Sequence, residues 1–578
     1  MTTLTVLLPS TCFNPMTKKR RFRLALLFLT LIGFALRFYQ ASSMPPALNW
    51  DEASHGYNAF SILQTGSDEW GFRFPLIFRA FGDFKLPLYI YLTTIPVYLL
   101  GLTPLAVRFI SIISGTLAIP LIYFLTLEFF PRKRISIFKK RLPLCLLAAI
   151  ILTFLPWHFF LSRPALEANL ALTLVMAAIL FLHRGLRKPN NYFLAALFFG
   201  LSLHAYNSAR VFAPLFLIGF FLIYRRRLRF DWRHLLPLAL LLVLATPVAL
   251  QIINGTGMAR YQKLAILSDN NVFQIGQDRA NSHLPDFLAR LIHNRPVFFI
   301  TTILGNYLSY FSLGFFTQIS GSQSQFAIPG QHLLTISGYV MAAVGLYYLI
   351  SSLHRRRYRL LFAWLLLAPL PAALTADPPQ ALRPLLIIPA LVLLMVFSLK
   401  KLLSPILNNR QQTISLSIIF LVYLSCSFLY IKDYFTNYRT QYSQSWQYGY
   451  QQLYQYLDEV DHQVDHVFIT KRYGEPHIFY AFYHQTDPHL LWPNSDSSIR
   501  FYQDGWYWTD QIDDYYFVND WQIPDSQVTS LPLESGGDIS TTNSLLVTTP
   551  EHLPTNGQLL KTINFLDGQT AFAIIYLP

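Results

Sequence analysis

The stretch RKRISIFKKRLPLCLLAAIILTFLPWHFF, residues 132–160, decides the fold. A cationic loop at 132–141 runs into the apolar segment Leu144–Phe160, and neither part contains an acidic residue. A bilayer core of about 30 Å is crossed by about 20 mostly apolar helical residues, and short loops rich in Lys and Arg stay on the cytoplasmic side. The stretch therefore reads as an inner loop followed by a span. Working outward, the same alternation recurs. Apolar runs stand at Leu24–Leu36, Ala106–Phe130, Leu235–Ile253, Gln331–Leu353, Leu360–Ala373, Leu385–Leu399 and Ile414–Ile431. Basic loops stand at 18–23, 184–188, 225–233 and 354–359, with Lys400, Lys401 and Arg410 as a weaker sixth.

Composition agrees with a membrane body. Of 578 residues, 53% are hydrophobic and 13% charged, with mean hydropathy +0.35; a soluble domain carries about 25% charged residues. Charge is divided along the chain. Residues 433–578 hold 5 Lys/Arg against 18 Asp/Glu, while residues 1–432 hold 40 against 12. The basic excess sits in short loops between apolar runs, so it is a topology signal and not a nucleic-acid footprint.

Placing the basic loops inside yields about 11 crossings, or about 13 if Leu86–Leu100 and Pro296–Phe316 also cross. Both segments are expected as interfacial or re-entrant helices. The expected fold is an all-α polytopic membrane protein with a C-terminal mixed α/β extracytoplasmic domain. The expected divisions are a cytoplasmic N-terminus (1–21), a transmembrane catalytic domain (22–432) with a first outer loop at 41–104, and an outer domain at 433–578. In that last domain His466–Thr470 and Ala571–Leu577 have strand character. Met16 followed by KKRR resembles a natural start, and the stretch up to Phe38 reads as an uncleaved span. The three cysteines (Cys12, Cys145, Cys426) suggest neither a disulfide framework nor a metal cluster.

The chemistry concentrates in the first outer loop. Residues 1–432 contain twelve carboxylates, five of them Asp51, Glu52, Asp68, Glu69 and Asp83. Asp51-Glu52 follows the first span after Pro45-Pro46, at the membrane surface, where an anionic pair is costly unless partnered. A carboxylate there can serve as general base toward a hydroxyl; the plainer alternative is a helix-capping Asp with a solvated Glu. His55, one helical turn on, orients Asp51, binds a metal, or is a satisfied surface histidine. His158 and His204 read as packed neutral rings, and Glu128 as the partner of the 132–141 loop. The aromatic stretch Trp492–Trp521 suits stacking on sugar rings, a membrane surface, or the core of a small domain.

Asn49-Trp50-Asp51-Glu52-Ala53, Phe84-Lys85-Leu86-Pro87-Leu88-Tyr89, Ala106-Val107-Arg108, Ser162 to Asn169, Tyr206 to Arg210, and Asp377 with Ala381-Leu382-Arg383 occur in that order. The order resembles the dolichyl-phosphate-mannose–protein mannosyltransferase family (glycosyltransferase family 39) and the lipid A aminoarabinose transferases, within the GT-C membrane fold. It extends over roughly residues 20–400. The resemblance implies a transferase that takes a sugar from a polyprenyl monophosphate and passes it to a protein, lipid or glycan acceptor on the outer face of the plasma membrane. It makes Asp51 the catalytic carboxylate, Glu52 its neighbour, and Glu167 an acidic position in the second outer loop. Lys85, Arg163, Arg210 and Arg383 then form a candidate clamp for the donor phosphate, with snorkelling to lipid headgroups as the alternative for each Arg. The resembling family implies no metal requirement, so no cofactor is expected, although paired carboxylates are competent to hold Mg²⁺ or Mn²⁺. Two rival readings are a transporter or flippase of lipid-linked glycans and a glycan-binding membrane receptor. The first fits poorly with spans that hold few ionisable residues. The second leaves Asp51, Glu52, Lys85 and Glu167 without a joint purpose.

Overall fold

A computed structural model describes residues 18–131, 134–137, 140–228, 234–255, 266, 269–317, 324–376, 379–403, 409–493 and 495–578. Cys12, the start at Met16 and Asp377 lie outside these residues. The first half of the chain is a helical body: α1 (Lys18–Phe38), α2 (Trp50–Thr65), α3 (Pro87–Leu100), α4 (Pro104–Phe129), α5 (Leu144–Phe154), α6 (Pro156–Leu161), α7 (Glu167–Gly185), α8 (Asn191–Leu203), α9 (Asn207–Tyr224) and α10 (Leu235–Ile253). Among the described residues, α4, α7, α9, α10 and the helix Thr413–Gln441 are long and apolar enough to cross a membrane.

The expected runs map closely onto helices, and proline sets where they break. Leu144–Phe160 is divided into α5 and α6 at Leu155, the residue before Pro156. Proline has no N–H to donate and disfavours helical backbone in the residue before it. Leu360–Ala373 divides likewise around Pro369, into Arg356–Leu367 and Leu370–Ala373. Leu86–Leu100 forms α3, and Pro296–Phe316 forms Arg295–Ser309 and Leu313–Thr317. At about 1.5 Å per residue these helices are shorter than a bilayer core.

Glu128, at the end of α4, is held by His183 and Arg184 in the last turn of α7 and by Arg187 just beyond it. Its expected pairing with the 132–141 loop falls on side chains outside the described residues.

Between α2 and α3 two short strands, β1 (Phe78–Arg79) and β2 (Phe84–Lys85), pair antiparallel with Phe78 opposite Lys85. The C-terminal region builds a seven-stranded mixed sheet from β3 (His466–Thr470), β4 (Ser498–Gln503), β5 (Trp506–Ile512), β6 (Tyr515–Val518), β7 (Ser544–Thr548), β8 (Gln558–Asn564) and β9 (Thr570–Leu577). The order is β8-β9-β7-β3-β6-β5-β4, with β3 parallel to both β7 and β6. Alternation along β3 sends Val467 and Ile469 into the core shared with the helical body, and Phe468 into a second core on the other face. The shared core is what joins the two halves of the molecule.

Candidate active site

The site is built at the start of α2. Asn49 is the N-cap: its side chain accepts from the Glu52 N–H at 2.9 Å, and Glu52 Oε2 accepts from the Asn49 N–H at 3.4 Å, a reciprocal capping box. The plainer alternative, Asp51 capping the helix beside a solvated Glu52, is therefore ruled out. Asn49 caps, and Glu52 is fully buried.

Asp51 and Glu52, adjacent in sequence, face different partners. Lys85 Nζ lies 2.7 Å from Asp51 Oδ1 and 3.9 Å from Asp83 Oδ1, with the lysine buried and Asp51 38% exposed. Glu52 turns inward to Arg108, which donates through Nε at 3.0 Å and through its terminal nitrogen at 2.9 Å. Glu52 Oε1 also accepts from the Ala165 N–H at 2.7 Å. Arg108 spends its remaining donors on the carbonyls of Ala41, Pro45 and Ala47. One buried carboxylate thus ties together the turn before α2, the α4 helix and the loop before α7. A planar guanidinium is suited to such a fork.

His55, four residues beyond Asp51 and so on the same face of α2, is buried and not at the surface. Its Nε2 lies 3.0 Å from Glu167 Oε1, at the first residue of α7, and its ring packs on Tyr89. The Asp51–Lys85 and His55–Glu167 pairs thus both stem from one face of α2.

The four cations expected at the donor phosphate are placed differently. Lys85 is at Asp51. Arg163 is fully buried and donates to the carbonyls of Leu36, Arg37, Tyr39 and Met44 and to the Tyr434 hydroxyl, which makes it the clasp of the α1–α2 turn. Arg210 donates to the Leu203 carbonyl at 3.0 Å and Gln251 Oε1 at 2.6 Å. Arg383 donates to Thr375 Oγ1, and its carbonyl accepts from Ser208 at 3.0 Å.

The C-terminal sheet supports the loop that carries Lys85. The Tyr507 N–H donates to the Phe81 carbonyl, at the tip of the β1–β2 hairpin, at 2.6 Å. Arg500 pairs with Glu69 at 3.0 Å and lies 3.4 Å over the Trp70 ring. Gly56 lets α2 reach this domain: a Cβ there would stand 2.7 Å from Phe482 and 2.6 Å from Val107.

The start of α2 also forms one wall of an open cleft of about 560 Å³ whose other walls belong to residues 444–521 and Gln325. Trp50, Trp506, Trp508 and Trp521 line it together with Gln444, Gln447, Lys471 and Glu475.

Two carboxylate groupings bear on metal binding. The Asp51-Glu52 pair cannot close on one ion as it stands, since Lys85 holds one carboxylate and Arg108 the other. Asp520, Glu551 and His552 bring ligand atoms within 4.8 Å of one another. Arg472 already sits on this group, 3.5 Å from Glu551 and 4.0 Å from Asp520. Arg472 offsets one of the two carboxylate charges, and the three ligand atoms keep a spacing that suits a cation.

Residues 85–250 match the family model described as dolichyl-phosphate-mannose-protein mannosyltransferase. Among solved structures, ArnT from Cupriavidus metallidurans bound to undecaprenyl phosphate aligns over 97% of this chain and 98% of its own, with 12% identity and a TM-score of 0.53. The fold is that of the GT-C glycosyltransferases. The same ArnT in its apo state aligns with 10% identity, the same coverage of both chains, and a TM-score of 0.51. The Archaeoglobus fulgidus oligosaccharyltransferase in its apo form aligns with 14% identity over 72% of this chain, at a TM-score of 0.46, and this chain spans 56% of its length. No curated protein matches the chain. The family match and the fold are both those of glycosyltransferases.

His55, which the sequence offers as a group orienting Asp51, is instead buried against Glu167. Within this GT-C body, two contributors were given no role from sequence. Arg108 had a legible signal, a lone cation near the start of a long apolar helix, which demands a partner. Arg500 had none, because its partner Glu69 lies 431 positions away.

Proposed function

We propose that this chain is an integral membrane glycosyltransferase that moves a sugar from a polyprenyl-phosphate donor to an acceptor hydroxyl, with inversion at the anomeric carbon. The reaction takes place on the extracytoplasmic side of the plasma membrane, where the first long loop and the C-terminal domain lie together. The observation that carries this reading is the Lys85–Asp51 pair at 2.7 Å, placed at the mouth of a GT-C body. The undecaprenyl phosphate bound to ArnT supports the donor class.

In this mechanism the acceptor hydroxyl displaces water at Asp51, and the Asp51 carboxylate takes its proton as the hydroxyl oxygen bonds to the anomeric carbon. The bond from that carbon to the phosphate oxygen breaks, and the electron pair leaves with the lipid phosphate. Lys85, released toward the donor, meets the charge that develops on the phosphate. Glu167, oriented by His55, flanks the acceptor. Glu52, Arg108 and Arg163 are positioning residues that hold the start of α2. Arg210 and Arg383 are retained as cations toward the donor phosphate.

The test uses membranes carrying wild type or Asp51→Asn, supplied with radiolabelled polyprenyl-phosphate sugars. Loss of a general base is expected to lower label transfer about 10²–10⁴-fold, with membrane insertion unchanged. Equal transfer by the two proteins would remove Asp51 as the base.

A further inference from the structure

The cleft beside Asp51 has a chemistry that the transfer step does not use. β5 alternates, so Trp506 and Trp508 share one face and line the cleft, while Tyr507 faces the first loop. The Trp506 and Trp508 rings stand 5.8 Å apart at 35°, and Trp521, 76% exposed, lines the same cleft. Trp50, next in sequence to Asp51, completes the set. The planar amides of Gln325, Gln444, Gln447 and Asn519 line the same cleft. Flat apolar faces together with amides suit a ring that offers C–H bonds on its faces and hydroxyls on its edge.

The backbone holds this arrangement at some cost. Gln447 is in the left-handed region at φ 55°, unusual for a residue of its type. Its amide accepts from the Trp50 N–H at 2.8 Å and donates to the Tyr473 carbonyl. Gly474 has φ 112°, and a Cβ there would stand 2.0 Å from the Trp50 ring. Trp50 is thereby fixed as a shared wall of the cleft and the Asp51 site.

Charge narrows the ligand. Lys471 is held by Asp510 at 2.6 Å and Glu534 at 3.1 Å, and Arg472 by Glu551. Residues 433–578 carry 13 more acidic than basic side chains. With both lining cations already paired, a neutral ligand suits the cleft better than a phosphorylated or carboxylated one.

We infer that this cleft is the acceptor site, and that the acceptor is an uncharged oligosaccharide whose rings stack on Trp508, Trp506 and Trp521 while its terminal hydroxyl reaches Asp51 past Trp50. The inference rests on the transferase reading and specifies its acceptor.

The full chain in nanodiscs is titrated with neutral gluco-, manno- and arabino-oligosaccharides, with a phosphorylated oligosaccharide, and with a Ser/Thr-rich peptide, following tryptophan fluorescence. Saturable quenching by a neutral oligosaccharide is expected, weakened about tenfold in both Trp508→Ala and Trp521→Ala, as fits loss of one stacked ring. Trp521 is exposed, so its truncation keeps the fold, and the melting temperature of both variants verifies this. Binding of the peptide or the phosphorylated sugar in place of neutral ones, binding by none, or binding untouched by either substitution would overturn the inference. Saccharide binding without any label leaving a lipid donor would sink the transferase reading alone. Label passing to a peptide would sustain that reading and sink the cleft assignment.

Discussion

Arg500, on a C-terminal strand, reaches Glu69 in the first long loop at 3.0 Å, and both side chains are 1% exposed. A charge pair so buried is held in place by everything around it. Arg500 also donates to the carbonyls of Glu69 and Leu491. The pair locks the sheet to the loop from which Lys85 extends.

Breaking one side of this lock strands the other charge. Arg500→Met and Glu69→Gln are each expected to cost about 3–5 kcal/mol, lowering the thermal midpoint of the purified protein. The double variant is expected to recover part of that loss, because no charge is left alone. A double-mutant cycle on thermal unfolding measures this; simple additivity of the two losses would show that the residues do not act together.

Arg108→Lys is expected to destabilise about as much as Arg108→Ala. An ammonium cannot reproduce the fork to Glu52 while also holding the carbonyls of Ala41, Pro45 and Ala47. Protease sensitivity of the turn at 41–48 reads the outcome. Resistance equal to wild type in the lysine variant would mean that charge alone suffices.

For Lys85→Ala, weakened use of the donor is expected, by about 10²-fold in kcat/KM for the lipid, with the acceptor KM nearly unchanged. Lys85→Arg is expected to restore part of it. An effect confined to the acceptor would count against the phosphate role.

Asp68 supplies a pH signature. Burial pushes its carboxyl up to about 6 from 3.8, against the pull of backbone N–H groups of Phe72 and Trp70. The folded protein then holds a proton between about pH 4 and 6 that the unfolded chain has released. Stability is therefore expected to fall as pH rises through that window, by an amount on the order of 3 kcal/mol, and to be flat above it as far as this group is concerned. Asp68→Asn, which keeps the acceptor oxygen for Trp70 and Phe72, is expected to flatten the window. Thermal midpoints from pH 4 to 7 decide the matter, and an unchanged profile would assign the slope to other groups.

Much of the helical body is legible in the sequence because apolar length and proline position are local properties. Ala106–Phe130 and Leu235–Ile253 lie almost residue for residue on α4 and α10. Lys85 and Asp51 were legible as members of one loop. Their direct contact was not, since it depends on the β1–β2 hairpin turning the lysine back. The burial of Glu52 and Arg163 was illegible for a similar reason. Nothing in a stretch of sequence reveals that carbonyls of the α1–α2 turn converge on an arginine more than a hundred residues later. The aromatic stretch Trp492–Trp521 left three uses open; the alternation along β5 separates the two tryptophans that face the cleft from the tyrosine that does not.

The terminal strand β9 lies inside the sheet, between β8 and β7, and not at its edge. It pairs with β7, which pairs with β3, so the sheet that carries Trp506 and Trp508 is closed by contacts between distant segments. Asp51 instead sits on a helix built from local contacts. Local contacts form fast and non-local strand pairs slowly. On the proposed reading the reactive carboxylate is in place before the surface that brings an acceptor to it, and closure of the sheet is the slow step of maturation.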